Sequence, residues 1–361
     1  MAKKFSIFFF LFVCTECYCL SQATFTNPLK PSGPDPWVIS KNGWYYYMNT
    51  VVSAEGENEL MLWRTKNMAK LGSAESKTVF KPSEGKPYSK QLWAPEIHFL
   101  KDKWYIYFAA DEGENLHHRI WVLENNEPDP YSGAFTMKGK LADPGDHWAI
   151  DLTVTEFHDR LIAAWSGWQN YNNVEQDIYI AELDNPWTMK GDRTLISKPD
   201  HSWELHGKVP LAWQKNTGEP PYLRINEGPE FLDHNGKLFI VYSANACWLD
   251  YNLGLLKYKG GGDLLARKSW KKSKKPVFEQ DSENGVYAPG HILFLNHQMV
   301  QKTGYYIMRI LERMTVVEVC VHQTCKNLPG QKKETPILES PLVANLSLYH
   351  PEVNKRQKLQ F

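Results

Sequence analysis

Four copies of one short unit predict an all-β propeller. Each copy has a leading residue, an apolar strand, a polar turn and a second strand rich in aromatics. The copies read DPWVISKNGWYYYMNT from Asp35, PEIHFLKDKWYIYFAA from Pro95, DLTVTEFHDRLIAAWSG from Asp151 and EGPEFLDHNGKLFIVYSA from Glu227. Two further observations agree. The copies recur at intervals of about 57 to 76 residues, room for a four-stranded blade and its loops, and amphipathic helical periodicity is nearly absent beyond the N-terminus. Radial repetition leaves only short, protected sheet edges. A β-sandwich, the alternative architecture, gives no reason for a polar residue at the head of successive units.

Each unit carries its own strand signals. The first turns at Asn42-Gly43, the second at Lys101 to Lys103, the third at His158 to Arg160 and the fourth at His234 to Gly236. The second strands alternate or are wholly apolar, as strands buried between sheets are. Ahead of the first unit, MAKKFSIFFFLFVCTECYCLSQA has a basic start, an apolar run too short to span a bilayer and small residues around Ala23. Residues 1–23 therefore read as a secretory signal peptide and the mature protein as extracellular. Cys14, Cys17 and Cys19 leave with that segment, which excludes a disulfide-stapled miniprotein. With 41 basic and 41 acidic residues the chain is formally neutral and has no basic stripe, so neither nucleic acid nor a membrane is an expected partner. No phosphate-loop, dinucleotide or zinc-protease motif occurs in a credible context, so no cofactor is expected.

In a propeller the innermost strands begin near the axis, so their leading residues converge. Asp35, Asp151 and Glu227 then share one pocket. Like charges in a partly dry pocket raise at least one carboxyl pKa toward neutrality. One acid, one base and one group that tunes them is the equipment of glycoside hydrolysis.

The ordered motifs GPDPWV (33–38), LWAPEIHFL (92–100), WAIDLTV (148–154), NEGPEFL (226–232) and GVYAPGH (285–291) resemble the signatures of glycoside hydrolase family 43. Through SGPDPWV, WYIYFAADEGENLHHR, WSGWQN and ACWLDYNLGLL the chain is most similar to the exo-acting α-L-arabinofuranosidase branch. The resemblance implies a five-bladed propeller over residues 24–291, comprising blades one to four and the start of the fifth. It implies Asp35 as general base, Glu227 as general acid and Asp151 as the group that holds the acid's pKa and orientation, acting with inversion on plant cell-wall arabinan or arabinoxylan. Leu152 departs from the glycine more usual in that branch. A β-xylosidase, an endo-arabinanase and a non-catalytic sugar-binding propeller remain open alternatives. A structural ion at the axis is compatible with the family, and a monomer is expected.

Every candidate has a plainer reading. Asp35 before proline also suits a turn, Asp151 a buried acid satisfied by backbone N–H groups, and Glu227 an axial ion pair. Strand alternation turns Glu96 and Glu230 away from the pocket. Trp37, Trp93 and Trp168, near inner-strand starts or loops, are candidates to stack on a sugar, whereas Trp44, Trp104 and Trp165 read as core. His291, at the start of the fifth blade, reads as a partner of Glu227, an axial metal ligand or a satisfied core histidine.

Past His291 the sequence shows no blade-like turn and no family motif. Restoring one base to the reading frame there permits a strand, a turn and an aromatic strand. Residues 292–361 therefore read as an aberrant, out-of-frame tail, the fifth blade as missing or altered, and the chain as an enzyme that is inactive if the tail fails to close the ring.

Overall fold

The computed structural model describes residues 29–307, apart from 52–58, 172, 174, 206–223, 235, 248–250, 282–285, 287 and 300–301. Residues 1–28, which include the expected signal peptide, and residues 308–361 of the tail lie outside the described residues. The strands form four antiparallel four-stranded meanders. They are β1 (Trp37–Lys41), β2 (Trp44–Met48), β3 (Leu60–Thr65) and β4 (Glu75–Phe80); β5 (Lys90–Leu100), β6 (Lys103–Asp111), β7 (Arg119–Asn125) and β8 (Thr136–Leu141); β9 (Ala149–Phe157), β10 (Arg160–Trp168), β11 (Gln176–Asn185) and β12 (Thr188–Ser197); and β13 (Asn226–His234), β14 (Lys237–Ala244), β15 (Asn252–Tyr258) and β16 (Trp270–Lys272).

The repeat read from sequence is a repeat of backbone geometry. Lys41 pairs with Trp44 across Asn42 and Gly43, whose φ angles are 53° and 76°. Two successive left-handed residues make the hairpin turn whose twist matches its strands, which is why Asn-Gly suits it. Lys101 and Asp102 (47° and 64°) and His158 and Asp159 (49° and 60°) adopt the same shape in the second and third blades. Asp tolerates it because its short polar side chain satisfies nearby backbone.

Adjacent sheets pack face to face, and the core is a chain of inter-blade clusters. Tyr46, Leu62, Ile97 and Trp104 fill the space between blades one and two; Tyr107, Val122, Leu152 and Trp165 that between two and three; Ile162, Ile180, Ile240 and Tyr242 that between three and four. Trp104 and Trp165 are buried, as expected of core, while Trp44 is partly buried beneath Arg64 and Lys66. Inner strand follows inner strand, with β1 against β5, β5 against β9 and β9 against β13. This all-β propeller arrangement brings the strand starts together.

The segment after His291 differs from expectation. Ile292 is buried with Leu232, Phe239 and Val241 of blade four, and Leu293 with Val38, Tyr45, Tyr47 and Trp63 of blade one. Successive residues pointing to opposite sides thus bridge the first and last complete sheets. β17 (Phe294–Met299) follows beside β1 and pairs with β18 (Lys302–Ile307). Two paired strands are therefore present in a segment whose sequence offers no blade-like turn. The two opposed apolar anchors place the segment even though its sequence carries no family motif. Beyond the four sheets, the described residues hold this two-stranded antiparallel pair.

Candidate active site

The inner strands are kinked at the axis, and each kink is a bulge or a left-handed residue. Asp35 (φ 53°) lies two residues before the start of the first blade's inner strand at Trp37. In blade three, Ser166 pairs with Ile150 and Ala164 with Thr153, so Asp151 and Leu152 together oppose Trp165, with Asp151 at φ 56°. In blade four the register slips between Glu227 and Glu230, around Gly228 at φ 52°. Blade two repeats the slip between Trp93 and Glu96, with Ala94 at φ 44°. A bulge re-aims the residue it carries, and a left-handed residue outside glycine costs of order 1 kcal/mol, sustained only by surrounding contacts.

Those contacts tie the carboxylates together. Thr50 donates its hydroxyl to Asp35 Oδ2 at 2.5 Å and accepts the backbone N–H of Ala94 at 2.8 Å. The blade-two kink thus supplies a backbone donor where its neighbours supply an acid. His291 Nδ1 lies 3.3 Å from Asp35 Oδ1, and its backbone N–H donates to Ser243 Oγ at 2.6 Å. Asp151 Oδ2 accepts the N–H of Gly228, next to Glu227, at 3.0 Å. Tyr251 donates its hydroxyl to Glu227 Oε1. Gly228 and Gly290 are required by these approaches. A Cβ at Gly228 would stand 3.2 Å from His291 Nδ1, and one at Gly290 would stand 2.2 Å from the Tyr251 ring.

The three carboxyls differ electrostatically. Asp35 keeps 28% of its side-chain surface open to solvent, whereas Asp151 is 6% exposed. Glu227 still reaches solvent in part, but crowding by protein atoms and then the Asp151 charge push its pKa up to about 8, against the lowering hydrogen bond from Tyr251. Burial likewise raises Asp151, partly offset by nearby His291. Near neutrality Glu227 therefore carries the proton of this group.

Several expectations require correction. His291 meets Asp35, not Glu227. Trp168 is 2% exposed, stacked on Trp148 at 4.4 Å and 7°, and belongs to the core; both rings lie between blades, leaving no face for a sugar. Trp37 and Trp93 remain partly exposed. Trp37 donates its indole N–H to Ile97 O at 2.7 Å and packs on His98, and Trp93 stacks on buried His118 at 4.1 Å. Glu96 and Glu230, expected to turn away from the pocket, face each other in the interior. They are 4% and 3% exposed, hydrogen-bonded to each other, with His98 Nε2 2.8 Å from Glu96 and Thr153 Oγ1 3.5 Å from Glu230. The bulges at Ala94 and Gly228 add a residue to each strand and break the alternation on which the sequence reading relied. Thr50, Tyr251 and Ser243 were missed because nothing local marks a hydroxyl that meets its partner only through the blade arrangement. Among the described residues no cluster of three or more histidine, cysteine or acidic side chains is arranged to hold a metal ion.

Kinked inner strands that bring together two aspartates and a glutamate of raised pKa have the equipment of a glycoside-cleaving enzyme. The family model described as Glycosyl hydrolases family 43 matches residues 25–313, and the chain belongs to that family. It is 34% identical over 274 residues to an extracellular exo-α-(1→5)-L-arabinofuranosidase of Streptomyces avermitilis, covering 76% of this chain and 53% of that protein. A protein of the same description from Streptomyces chartreusis is 30% identical, with 75% of this chain and 78% of that protein covered. The chain thus spans about half the length of the first relative and over three quarters of the second. The crystal structure of an α-L-arabinofuranosidase from Lactobacillus brevis aligns with a TM-score of 0.73 at 30% identity, covering 88% of this chain and 97% of that one.

Proposed function

We propose that the protein is a secreted, inverting exo-α-L-arabinofuranosidase that removes terminal arabinofuranose from plant cell-wall arabinan or arabinoxylan. The observation that carries this reading is the convergence of Asp35, Asp151 and Glu227, with the proton on Glu227 and the solvent at Asp35. Glu227 gives its proton to the glycosidic oxygen as the bond to the anomeric carbon breaks. A water on the opposite face forms the new bond and passes its proton to Asp35. Tyr251 occupies Oε1 of Glu227, leaving the other oxygen for the leaving group, and its hydroxyl stabilises the carboxylate that forms. Asp151 holds the Gly228 N–H and, through its charge, keeps Glu227 protonated until transfer. Asp35 is held for its role by Thr50 and His291, while Trp37 and Trp93 flank the sugar, each through the ring face its histidine neighbour leaves free.

The relatives' names support arabinofuranose as the sugar and an extracellular setting, as does the signal-like segment 1–23. The out-of-frame reading of residues 292–361 rests on sequence. Docking of Ile292 and Leu293 means the first tail residues still fill the gap between blades. Peptides from the tail matched to an intact reading frame would refute the shift. For the activity, proton NMR of arabinan and arabinoxylan hydrolysis resolves the first-formed sugar. Inverted β-arabinofuranose is expected; first-formed α-anomer, or release of xylose in place of arabinose, contradicts the proposal.

A further inference from the structure

Tyr171 is the more exposed of the two large apolar side chains that stand out from the surface among the described residues, at 60%. It is nonetheless fixed. Its hydroxyl donates to Gly145 O at 3.0 Å, and its ring lies on the His147 ring at 4.9 Å and 11°. His147 is held in turn. Asp143 accepts from its backbone N–H at 3.2 Å and lies 2.8 Å from its Nδ1. The two rings stand on different segments that the register brings to one place. Gly167 pairs with Ala149, so the end of β10, beyond which Tyr171 lies, sits beside the start of β9, which His147 precedes. That start is the pocket end of blade three. From His147 to Asp151 is four residues, at most roughly 13 Å of extended chain.

An exposed aromatic normally keeps its rotamer freedom. Here a hydroxyl tether and a second ring hold one face down and turn the other to solvent at the rim of the pocket. A flat, neutral, preordered surface suits the apolar C–H face of a neutral sugar ring. We propose that Tyr171, backed by His147, binds a pentose unit on the leaving-group side of the cleaved bond, two or three units along an arabinan chain from Asp151. This rests on the arabinofuranosidase reading and adds that the enzyme grips the polymer as well as its terminal sugar.

The test uses the full chain carrying Glu227→Gln, which binds without turnover, titrated calorimetrically with α-1,5-arabinopentaose and with methyl α-L-arabinofuranoside. In the Tyr171→Ala form, the ratio of pentaose to single-sugar affinity is expected to fall about five- to tenfold, the effect of one stacked ring, and Tyr171→Trp is expected to restore it. An unchanged ratio, or a Trp form as weak as the Ala form, overturns the platform. Xylopentaose in parallel separates the two readings. A parent that binds xylopentaose and not arabinopentaose overturns the arabinose assignment, and the Tyr171 comparison is then read on xylopentaose.

Discussion

Asp35, Asp151 and Glu227 stand at the kinks where inner strands begin, among backbone donors, hydroxyls and solvent. Glu96 and Glu230 lie two or three residues further along the same kind of strand, past the bulge, and face each other without solvent. Burial raises both members of this deeper pair, and the nearest charges and hydrogen bonds modify each differently: Glu230 raises Glu96, His98 lowers it, and Thr153 lowers Glu230. Asp35 and Glu227 remain within reach of a water or a sugar, with Asp151 covered behind them. The deeper pair is closed off and held by hydrogen bonds between its members and to His98 and Thr153. The comparison teaches that one bulge along a strand separates an acid available for chemistry from an acid that serves packing.

The largest effect that sharpens this contrast is expected from Asp35→Asn. It removes the base whatever the leaving group is, so hydrolysis of both arabinotriose and nitrophenyl arabinofuranoside should fall about 10³- to 10⁴-fold in steady-state assays. Asp151→Asn should cost about a hundredfold and move the alkaline limb of the pH–rate profile to lower pH, because the Asp151 charge is one cause of the raised Glu227 pKa. Tyr251→Phe should cost about tenfold and move the same limb the opposite way, since the lost hydrogen bond had lowered that pKa. Shifts of the same sign in these two variants would break the assignment.

The smallest catalytic effect and the clearest effect on stability belong to the deeper pair. Both carboxyls have folded pKa values above their unfolded ones. Their contribution to stability is therefore complete below about pH 4.3, the ordinary glutamate value, and declines as pH rises toward the folded values. Replacing Glu96 and Glu230 together by Gln should flatten the fall of Tm between about pH 4.5 and 8, measured by scanning calorimetry. A Tm profile as steep as the parent's would show that the pair is not buried as described.

Much of this arrangement was legible in the sequence. The Asn42-Gly43, Lys101-Asp102 and His158-Asp159 turns announced the repeat because a hairpin's left-handed residues are a local property, and the heads of the units gave Asp35, Asp151 and Glu227. What escaped depends on one blade meeting another or on a register slip. The burial of Glu96 and Glu230 against each other follows bulges that alternation cannot reveal. Trp168 was misassigned because only the Trp148 stack shows that its ring is covered. The hydroxyl of Thr50 reaches Asp35 only through the blade-two kink at Ala94, and Ile292 and Leu293 act only between the first and fourth sheets. Composition and periodicity report on a strand taken alone, and these cases are set by its pairing and by its neighbours.

The most direct measurement of the central claim compares Glu227→Gln with Glu230→Gln in arabinotriose hydrolysis at neutral pH, with Tm recorded for each. The account predicts a loss of about 10³-fold or more for Glu227→Gln with Tm little changed, and kcat/KM within about threefold of the parent for Glu230→Gln, since glutamine retains the buried hydrogen bonds. Equal losses in the two variants, or an unimpaired Glu227→Gln enzyme, would contradict it.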